Sequence, residues 1–237
     1  MSSFVLKIIA MISMFFDHFG YGLIGHFSSF NYIGRLAFPI FAFQISEGYL
    51  HTKNLKKYFL RLFLFAIISQ IPFSLFMQKF ISTYSLSLNV FFTLLLGLFS
   101  ITVYDYFSKV KNKELNYQIF GVSVKHIVGI LFVLLIAYIG ELLHVDYGFW
   151  GIFVIFIFHL FKSHTPAMMI AYIALCVIRY GLRILCDGFL IEYVYLALAT
   201  IFPIIFIWLY NGKQGRKIKY GLYLFYPIHL LLLYFFM

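Results

Sequence analysis

The sequence has few charged residues, and this scarcity limits what the protein can be. Only 11% of the 237 residues are Asp, Glu, Lys or Arg, and the acidic residues number 8. Hydrophobic residues make up 63% of the chain and aromatic residues 22%. Soluble globular domains are about one quarter charged and about half apolar. The composition therefore excludes an ordinary soluble domain and predicts a protein that crosses a membrane several times.

The sequence also lacks the motifs of several enzyme classes. Its two cysteines, Cys176 and Cys186, have no metal-ligand spacing, and no His/Cys cluster or HxxxH pair occurs. We therefore expect no metal site and expect both cysteines to be free apolar thiols. There is no phosphate-binding glycine loop and no Ser-centred nucleophile elbow. Any chemistry must come from the few polar residues within the apolar segments.

Apolar segments of the length of a membrane span fill the chain. A spanning helix needs about 20 mostly apolar residues. We predict an all-α, polytopic membrane helix bundle of about nine spanning helices, which forms one integral membrane domain over residues 1–237. The predicted spans are 4–25, 33–51, 57–77, 89–108, 124–143, 147–161, 166–185, 190–210 and 219–236. A re-entrant segment is the alternative for 147–161, which is short for a bilayer.

The net charge of +10 is concentrated in alternate connections between these segments. Lysines and arginines cluster at 53–57, 109–125, 162 and 213–219, whereas the intervening connections contain few basic residues. By the positive-inside rule, the basic connections and the amino terminus lie in the cytoplasm. The charge thus indicates membrane orientation, and we expect no nucleic-acid partner.

The first apolar segment carries two ionisable residues, Asp17 and His18, in the stretch "MFFDHFGYG". They lie about two thirds of the way through the segment, counted at about 1.5 Å per helical residue. Ionisable residues inside a membrane are costly, usually face the interior of the bundle and often mark function. We expect Asp17, His18 and Arg35 of the second segment to border a polar cavity. The structural alternative is an ion pair between Asp17 and Arg35.

Five further polar residues are candidates for the same cavity or for plain structural roles. Asn89 begins the fourth segment and is either a site residue or a helix cap. His229 in "YPIHLL" is either a site residue or a core histidine bonded to a carbonyl. Glu47 and Arg61 flank one predicted cytoplasmic connection and would alternatively form an interfacial clasp. Asp146 would alternatively cap a turn.

Arginine is distributed differently from lysine along the chain. Nearly all lysines are in connections, whereas four arginines lie in or at the edges of apolar segments: Arg35, Arg61, Arg179 and Arg183. A planar guanidinium binds carboxylates and phosphates in a way that an ammonium group does not. Arginine at depth therefore indicates that this geometry is needed there.

Several segments, in order and over nearly the whole chain, resemble the TraX family of integral membrane proteins: "LKIIAMISMFFDH", "IGRLAFPIFAFQISEGYLHTKNLKKYFLRLF", "SQIPF", "LNVFFTLLLG", "DYGFWG" and "YLFYPIHLL". The resemblance implies an acetyltransferase of the bacterial cytoplasmic (inner) membrane that modifies the amino terminus of a pilin. In having a histidine in its first span, the chain is also similar, more distantly, to membrane acyltransferases that use cytosolic acetyl-CoA.

The resemblance also assigns roles to the catalytic candidates. Acetyl transfer from a thioester needs a base for the acceptor's proton, and neutral imidazole suits this task. His18 is the expected base or, alternatively, the nucleophile that carries the acetyl group. Asp17 or Arg35 would orient it, Asn89 or Arg35 would stabilise the thioester oxygen as it becomes anionic, and His229 completes the expected catalytic set.

The donor implied by the resemblance is acetyl-CoA, whose phosphates need cations. The expected donor-binding residues lie around the predicted cytoplasmic connections: Arg61, Lys53, Lys57, Glu47, Arg216 and Lys217. The acceptor would be a peptide amino terminus, a glycan hydroxyl or a small molecule.

Two other functions fit the same residues. A transporter or proton-coupled permease would also use intramembrane Asp, Arg and His. A non-enzymatic assembly factor would bind a hydrophobic peptide without needing His18.

Overall fold

The protein folds as a bundle of helices. A computed structural model describes residues 1–25, 27–79, 87–110, 117–119, 121–216 and 219–237. The helices are α1 (Ser3–Phe19), α2 (Ser29–Gly34), α3 (Ala37–His51), α4 (Leu55–Gln78), α5 (Val90–Lys109), α6 (Val124–Leu142), α7 (Gly148–Leu160), α8 (Thr165–Asp187), α9 (Ile191–Ile201), α10 (Pro203–Trp208) and α11 (Lys219–Phe236). A π-helical turn, Gly20–Ile24, extends α1, and β1 (Gln118–Ile119) pairs with β2 (Val122–Ser123) in a short antiparallel hairpin. The predicted all-α membrane fold is confirmed.

Six helical segments within the described residues are long and apolar enough to cross a membrane: Ser3–Ile24, Leu55–Gln78, Val90–Lys109, Val124–Leu142, Thr165–Asp187 and Ile191–Trp208. The other three predicted spans are also helical but shorter. They correspond to α3, α7 and Tyr220–Phe236 of α11. The count of nine spans and the cytoplasmic amino terminus remain predictions.

The second predicted span is broken near its start. Helix α2 ends at Gly34, a turn at Arg35 and Leu36 follows, and α3 begins at Ala37. Pro39 lies in the first turn of α3, where the missing backbone N–H of a proline does not interrupt the helix. Arg35 therefore projects from a junction between two helices.

The core lies where α5 packs against α6 and α7, and where α1 packs against α3. Phe38, Leu98 and Ile155 are buried there, and Tyr172 of α8 is buried against Phe158 of α7. Many other large apolar side chains are exposed on the outer helix surfaces, as expected of residues that face lipid. Apolar residues thus form both the core of the bundle and much of its outer surface.

One end of the bundle, here called the amino-terminal end, is built around the start of α1. The amino group of Met1 donates to the carbonyl of Leu209, and the backbone N–H of Asn211 donates to the carbonyl of Met1 at 2.9 Å. Ser3 Oγ donates to Gln44 Oε1 of α3 at 2.6 Å. The start of α1, the second half of α3 and the segment after α10 therefore meet at this end.

The predicted basic loops and the predicted catalytic residues lie at opposite ends of the bundle. Lys53 and Lys57 follow α3, and Arg216 follows α10, so all three lie near the amino-terminal end. Asp17 and His18 lie in the last turn of α1, about 20 Å away at 1.5 Å per residue. Because of this separation, the described residues of the basic loops do not contact Asp17 or His18 directly.

Candidate functional site

A cavity of about 530 Å³ lies at the end of the bundle opposite the amino-terminal end. It is called the central cavity below. Its charged and titratable lining residues include Asp17, His18, Arg35, Asp146, Arg179 and Arg183. Its volume falls within the range of small-molecule sites, about 300–1,000 Å³. The last turn of α1, the α2–α3 junction and α8 thus bring distant polar residues together.

His18 of α1 is paired with His229 of α11. Nδ1 of His18 lies 2.7 Å from Nε2 of His229, and Nδ1 of His229 lies 2.7 Å from the carbonyl oxygen of Phe225. Because a carbonyl only accepts, Nδ1 of His229 carries its proton and Nε2 of a neutral His229 accepts from Nδ1 of His18. This order leaves Nε2 of His18 unprotonated. Within the part of the chain that the structure describes, nothing hydrogen-bonds to that nitrogen.

Aromatic rings hold this pair of histidines in place. The ring of Phe76 meets the edge of His18 at 5.5 Å between centroids, and Phe225 stacks on His229 at 4.6 Å. His229 is 2% exposed. Because its ring is packed and hydrogen-bonded on both sides, His229 fixes the tautomer and the orientation of His18.

Asp17 and Arg35 form the predicted ion pair, and Asn31 holds it. Nη2 of Arg35 lies 3.4 Å from Oδ1 of Asp17. Nδ2 of Asn31 donates to the same oxygen at 3.1 Å and to the backbone carbonyl of Asp17 at 3.0 Å. Asn31 is fully buried, and sequence reasoning missed it, although its position in the "SSFNYIG" helix start was a signal. No hydrogen bond between the described residues links His18 to Asp17 or Arg35, so His229 has the orienting role that was expected of them.

Gly34 allows the close approach of α2 to the carboxylate of Asp17. A Cβ atom at position 34 would overlap the side chain of Asp17. We expect Gly34→Ala to separate Asp17 from Arg35 and to lower stability by about 1–3 kcal/mol, the usual cost of overpacking. Thermal unfolding in detergent tests this. Gly181→Ala in α8 is the matched control, because a Cβ there meets nothing within 4 Å; equal midpoints for the two variants would contradict the prediction.

Asp146 reaches the central cavity from the turn between α6 and α7. The backbone N–H of Asp146 donates to the carbonyl of Leu88 at 2.9 Å, and the ring of Tyr147 stacks on Phe38 at 3.7 Å between centroids. Asp146 lines the cavity and is exposed. Desolvation by the surrounding protein and the nearby Asp17 carboxylate raise the pKa of Asp146 to about 6. Its position favours a cavity role over the turn cap that was the alternative.

Comparison with known proteins assigns the chain to a family. The sequence model of the family described as "TraX protein" matches residues 2–237. The chain belongs to the TraX family. It is also similar to the "Probable fimbrial assembly protein FimC, serogroup H1" of Dichelobacter nodosus, with 28% identity over 251 residues that cover 98% of this chain and 94% of that protein. No solved structure matches it significantly. The resemblance predicted from the sequence is therefore confirmed.

Asn89 of this TraX-family protein is a structural residue. It is the N-cap of α5 and is fully buried: Oδ1 accepts from the backbone N–H of Phe91 at 3.0 Å, and Nδ2 donates to Ala66 O and Gln70 Oε1, each at 2.8 Å. It does not line the central cavity. The helix-cap alternative is confirmed. The structure does not support Asn89 as a catalytic donor, because its side-chain polar atoms are already engaged, and that role stays a prediction.

The predicted donor-binding residues also lie outside the central cavity. None of Arg61, Lys53, Lys57, Glu47 or Arg216 lines it, and Lys217 lies outside the described residues. They lie towards the amino-terminal end, around the connections where they were expected, and their binding of the donor stays a prediction.

Glu47 and Arg61 do not form the alternative clasp either. Oε2 of Glu47 accepts a hydrogen bond from Tyr210 at 3.1 Å, and the guanidinium of Arg61 lies 5.5 Å from the ring centroid of Tyr58. The two residues contact different partners on different helices.

A second buried polar cluster lies near the amino-terminal end and was missed in the sequence. Asp105 Oδ1 accepts from Nε2 of His159 at 2.9 Å, and Oδ2 accepts from the hydroxyl of Tyr49 at 3.2 Å and from Nζ of Lys109 at 3.3 Å. His159 is 1% exposed. Asp105 and His159 are 54 residues apart, so no local spacing predicts their contact. Within the described residues, no group of three or more His, Cys, Asp or Glu side chains is arranged to hold a metal.

Proposed function

We propose that this TraX-family protein is a membrane-embedded acetyltransferase that moves an acetyl group from acetyl-CoA to the amino terminus of a peptide. The observation that carries the proposal is the histidine pair, which leaves Nε2 of His18 unprotonated beside a cavity of ligand size. A base at this position, held by a second histidine, suits acyl transfer to an amine.

The residues then have the following roles. The nitrogen of the acceptor amine attacks the thioester carbonyl, and Nε2 of His18 takes the proton that the amine loses. Nε2 of His229 keeps its hydrogen bond to Nδ1 of the resulting imidazolium and stabilises it. As the C–S bond breaks, His18 returns the proton to the leaving sulfur. With Asn89 engaged elsewhere, Arg35 is the remaining predicted residue at the cavity that stabilises the oxyanion.

The position of the cavity bears on how the substrates arrive. The basic loops lie near the amino-terminal end, so by the positive-inside rule we infer that this end faces the cytoplasm and that the central cavity lies in the non-cytoplasmic half of the membrane. The acceptor then enters the cavity from the non-cytoplasmic side, and the long pantetheine arm of cytosolic acetyl-CoA extends through the bundle to His18. The relative's name, a fimbrial assembly protein, supports an exported peptide as acceptor.

The experiment that tests the proposal measures transfer directly. Purified protein in nanodiscs is incubated with labelled acetyl-CoA and with pilin-type peptides whose amino terminus is either free or blocked. We expect label on the free amino terminus and none on the blocked peptide. The absence of label on every peptide, together with solute flux into proteoliposomes without any acetyl donor, would instead indicate a permease.

A further inference from the structure

Two arginines of the central cavity have no carboxylate in direct contact among the described residues. Arg35 has Asp17 as its partner at 3.4 Å. Arg179 and Arg183 have no carboxylate oxygen within 4.0 Å among the described residues. Both line the cavity from α8. A ligand in this cavity therefore meets cationic groups that remain to be paired.

Arg179 is also held in a fixed position. Its guanidinium carbon lies 4.2 Å from the centroid of the Trp150 ring, a stacking distance that orients the planar group. Its Nη1 atom is buried and has no hydrogen-bond partner in the described part of the chain. Leaving a charged donor buried and unpaired is costly, so such a group indicates that a partner is absent. A guanidinium is best matched by the two oxygens of a phosphate or a carboxylate.

We propose that Arg179, assisted by Arg183, forms an oxyanion-binding subsite in the central cavity, which holds a phosphate or carboxylate group of a substrate. The inference rests on the proposed function in that the substrate is one of the two partners in acetyl transfer. The oxyanion belongs either to the phosphates of the donor or to an acidic group on the acceptor. Because the cavity lies away from the basic loops, the acceptor is the favoured source.

Tryptophan fluorescence reports on this subsite. The chain has two tryptophans, of which Trp150 stacks on Arg179 and Trp208 is 61% exposed in α10. A Trp208→Phe background makes Trp150 the sole reporter. Titrating sulfate at constant ionic strength should give a saturable change in Trp150 emission. The additional substitution His18→Ala should leave this binding intact, so that a failure of catalysis and a failure of binding can be told apart.

Two substitutions and one control decide whether the arginines are responsible. We expect Arg179→Gln to weaken sulfate binding about tenfold or more, since a charge-assisted hydrogen bond and a charge are lost together, and Arg183→Gln to weaken it less. Arg216→Gln removes an exposed cation near the amino-terminal end and should leave the sulfate affinity measured by Trp150 emission unchanged. Equal affinities for the Arg179 and Arg216 variants, or no saturable signal in the parent, would overturn the proposal.

The pH dependence of sulfate binding provides an independent check. The charged and titratable groups that act on Asp146 are Asp17, Arg35, Arg179 and the adjacent Tyr147. Protonation of Asp146 removes a negative charge from the cavity, so sulfate affinity should rise severalfold as the pH falls through about 6. Asp146→Asn should remove this dependence and bind at all pH values as tightly as the parent does in acid. A rise that persists unchanged in Asp146→Asn would contradict the prediction.

Substrate analogues then identify the source of the oxyanion. Acetyl-CoA is compared with acetyl-pantetheine, which lacks the nucleotide phosphates, and an acidic peptide is compared with its amide. If Arg179→Gln weakens acetyl-CoA but not acetyl-pantetheine, the subsite binds the donor. If it weakens the acidic peptide but not the amide, the subsite binds the acceptor. If it weakens none of the four ligands, the subsite has no role in substrate binding and the proposal is wrong.

Discussion

His18→Ala should reduce acetyl transfer by about 10²–10⁴-fold, the usual contribution of a general base. The substitution removes the nitrogen that lies unprotonated beside the central cavity and leaves His229 without its partner at 2.7 Å. Initial rates with labelled acetyl-CoA and a peptide acceptor measure the effect. Because the ring of His18 is packed by Phe76, added imidazole should partly restore the rate in the vacated space.

Two other histidines separate catalysis from folding. His51 at the amino-terminal end has a side chain that is 70% exposed, and His51→Ala should leave the rate unchanged. His229→Phe retains a ring in α11 but removes the acceptor for Nδ1 of His18, so we expect a smaller loss of rate and a changed pH–rate profile. Equal transfer by wild type and His18→Ala would remove His18 from the mechanism.

The helical segments were predictable because lipid imposes one strong rule on the chain. A run of about 20 apolar residues has to satisfy its backbone internally, and a helix does so. Asp17 and Arg35 were predictable as partners for the same reason, since charges within an apolar bundle need counter-charges. The break at Gly34–Leu36 was not predictable, because it places Arg35 without disturbing the apolar pattern.

Donor binding by the loop residues stays a prediction because charge in a loop has two explanations. Lys53 and Arg216 satisfy the positive-inside rule whether or not they bind a phosphate, and composition does not separate the two roles. The pairing of His18 with His229 spans 211 residues, and that of Asp105 with His159 spans 54. Such contacts depend on which helices become neighbours, and hydropathy along one chain does not contain that information.

The hydrogen bond between Asp105 and His159 should contribute more to the stability of the bundle than the exposed contact between Lys109 and the same carboxylate. Asp105→Ala leaves Nε2 of His159 without its partner in a site where that histidine is 1% exposed. We expect a loss of about 1–3 kcal/mol, the cost of leaving a buried hydrogen-bond donor without its partner. Lys109→Gln is the matched control, because Lys109 contacts the same carboxylate at 3.3 Å with a side chain that is 74% exposed. An exposed partner of this kind contributes about 1 kcal/mol or less.

The double variant Asp105→Leu/His159→Phe shows whether the two residues stabilise the bundle through their mutual hydrogen bond or independently of each other. Replacing both polar groups with apolar ones removes the His159 donor together with its acceptor and leaves the Tyr49 hydroxyl without its partner, so the double variant should recover part of the stability lost in the single variant Asp105→Leu. Free energies of unfolding in bicelles for Asp105→Leu, His159→Phe and the double variant, combined as a double-mutant cycle, give the coupling between the two residues. Additive losses would mean that Asp105 stabilises the bundle through Tyr49 and Lys109, and that His159 is buried for its packing alone.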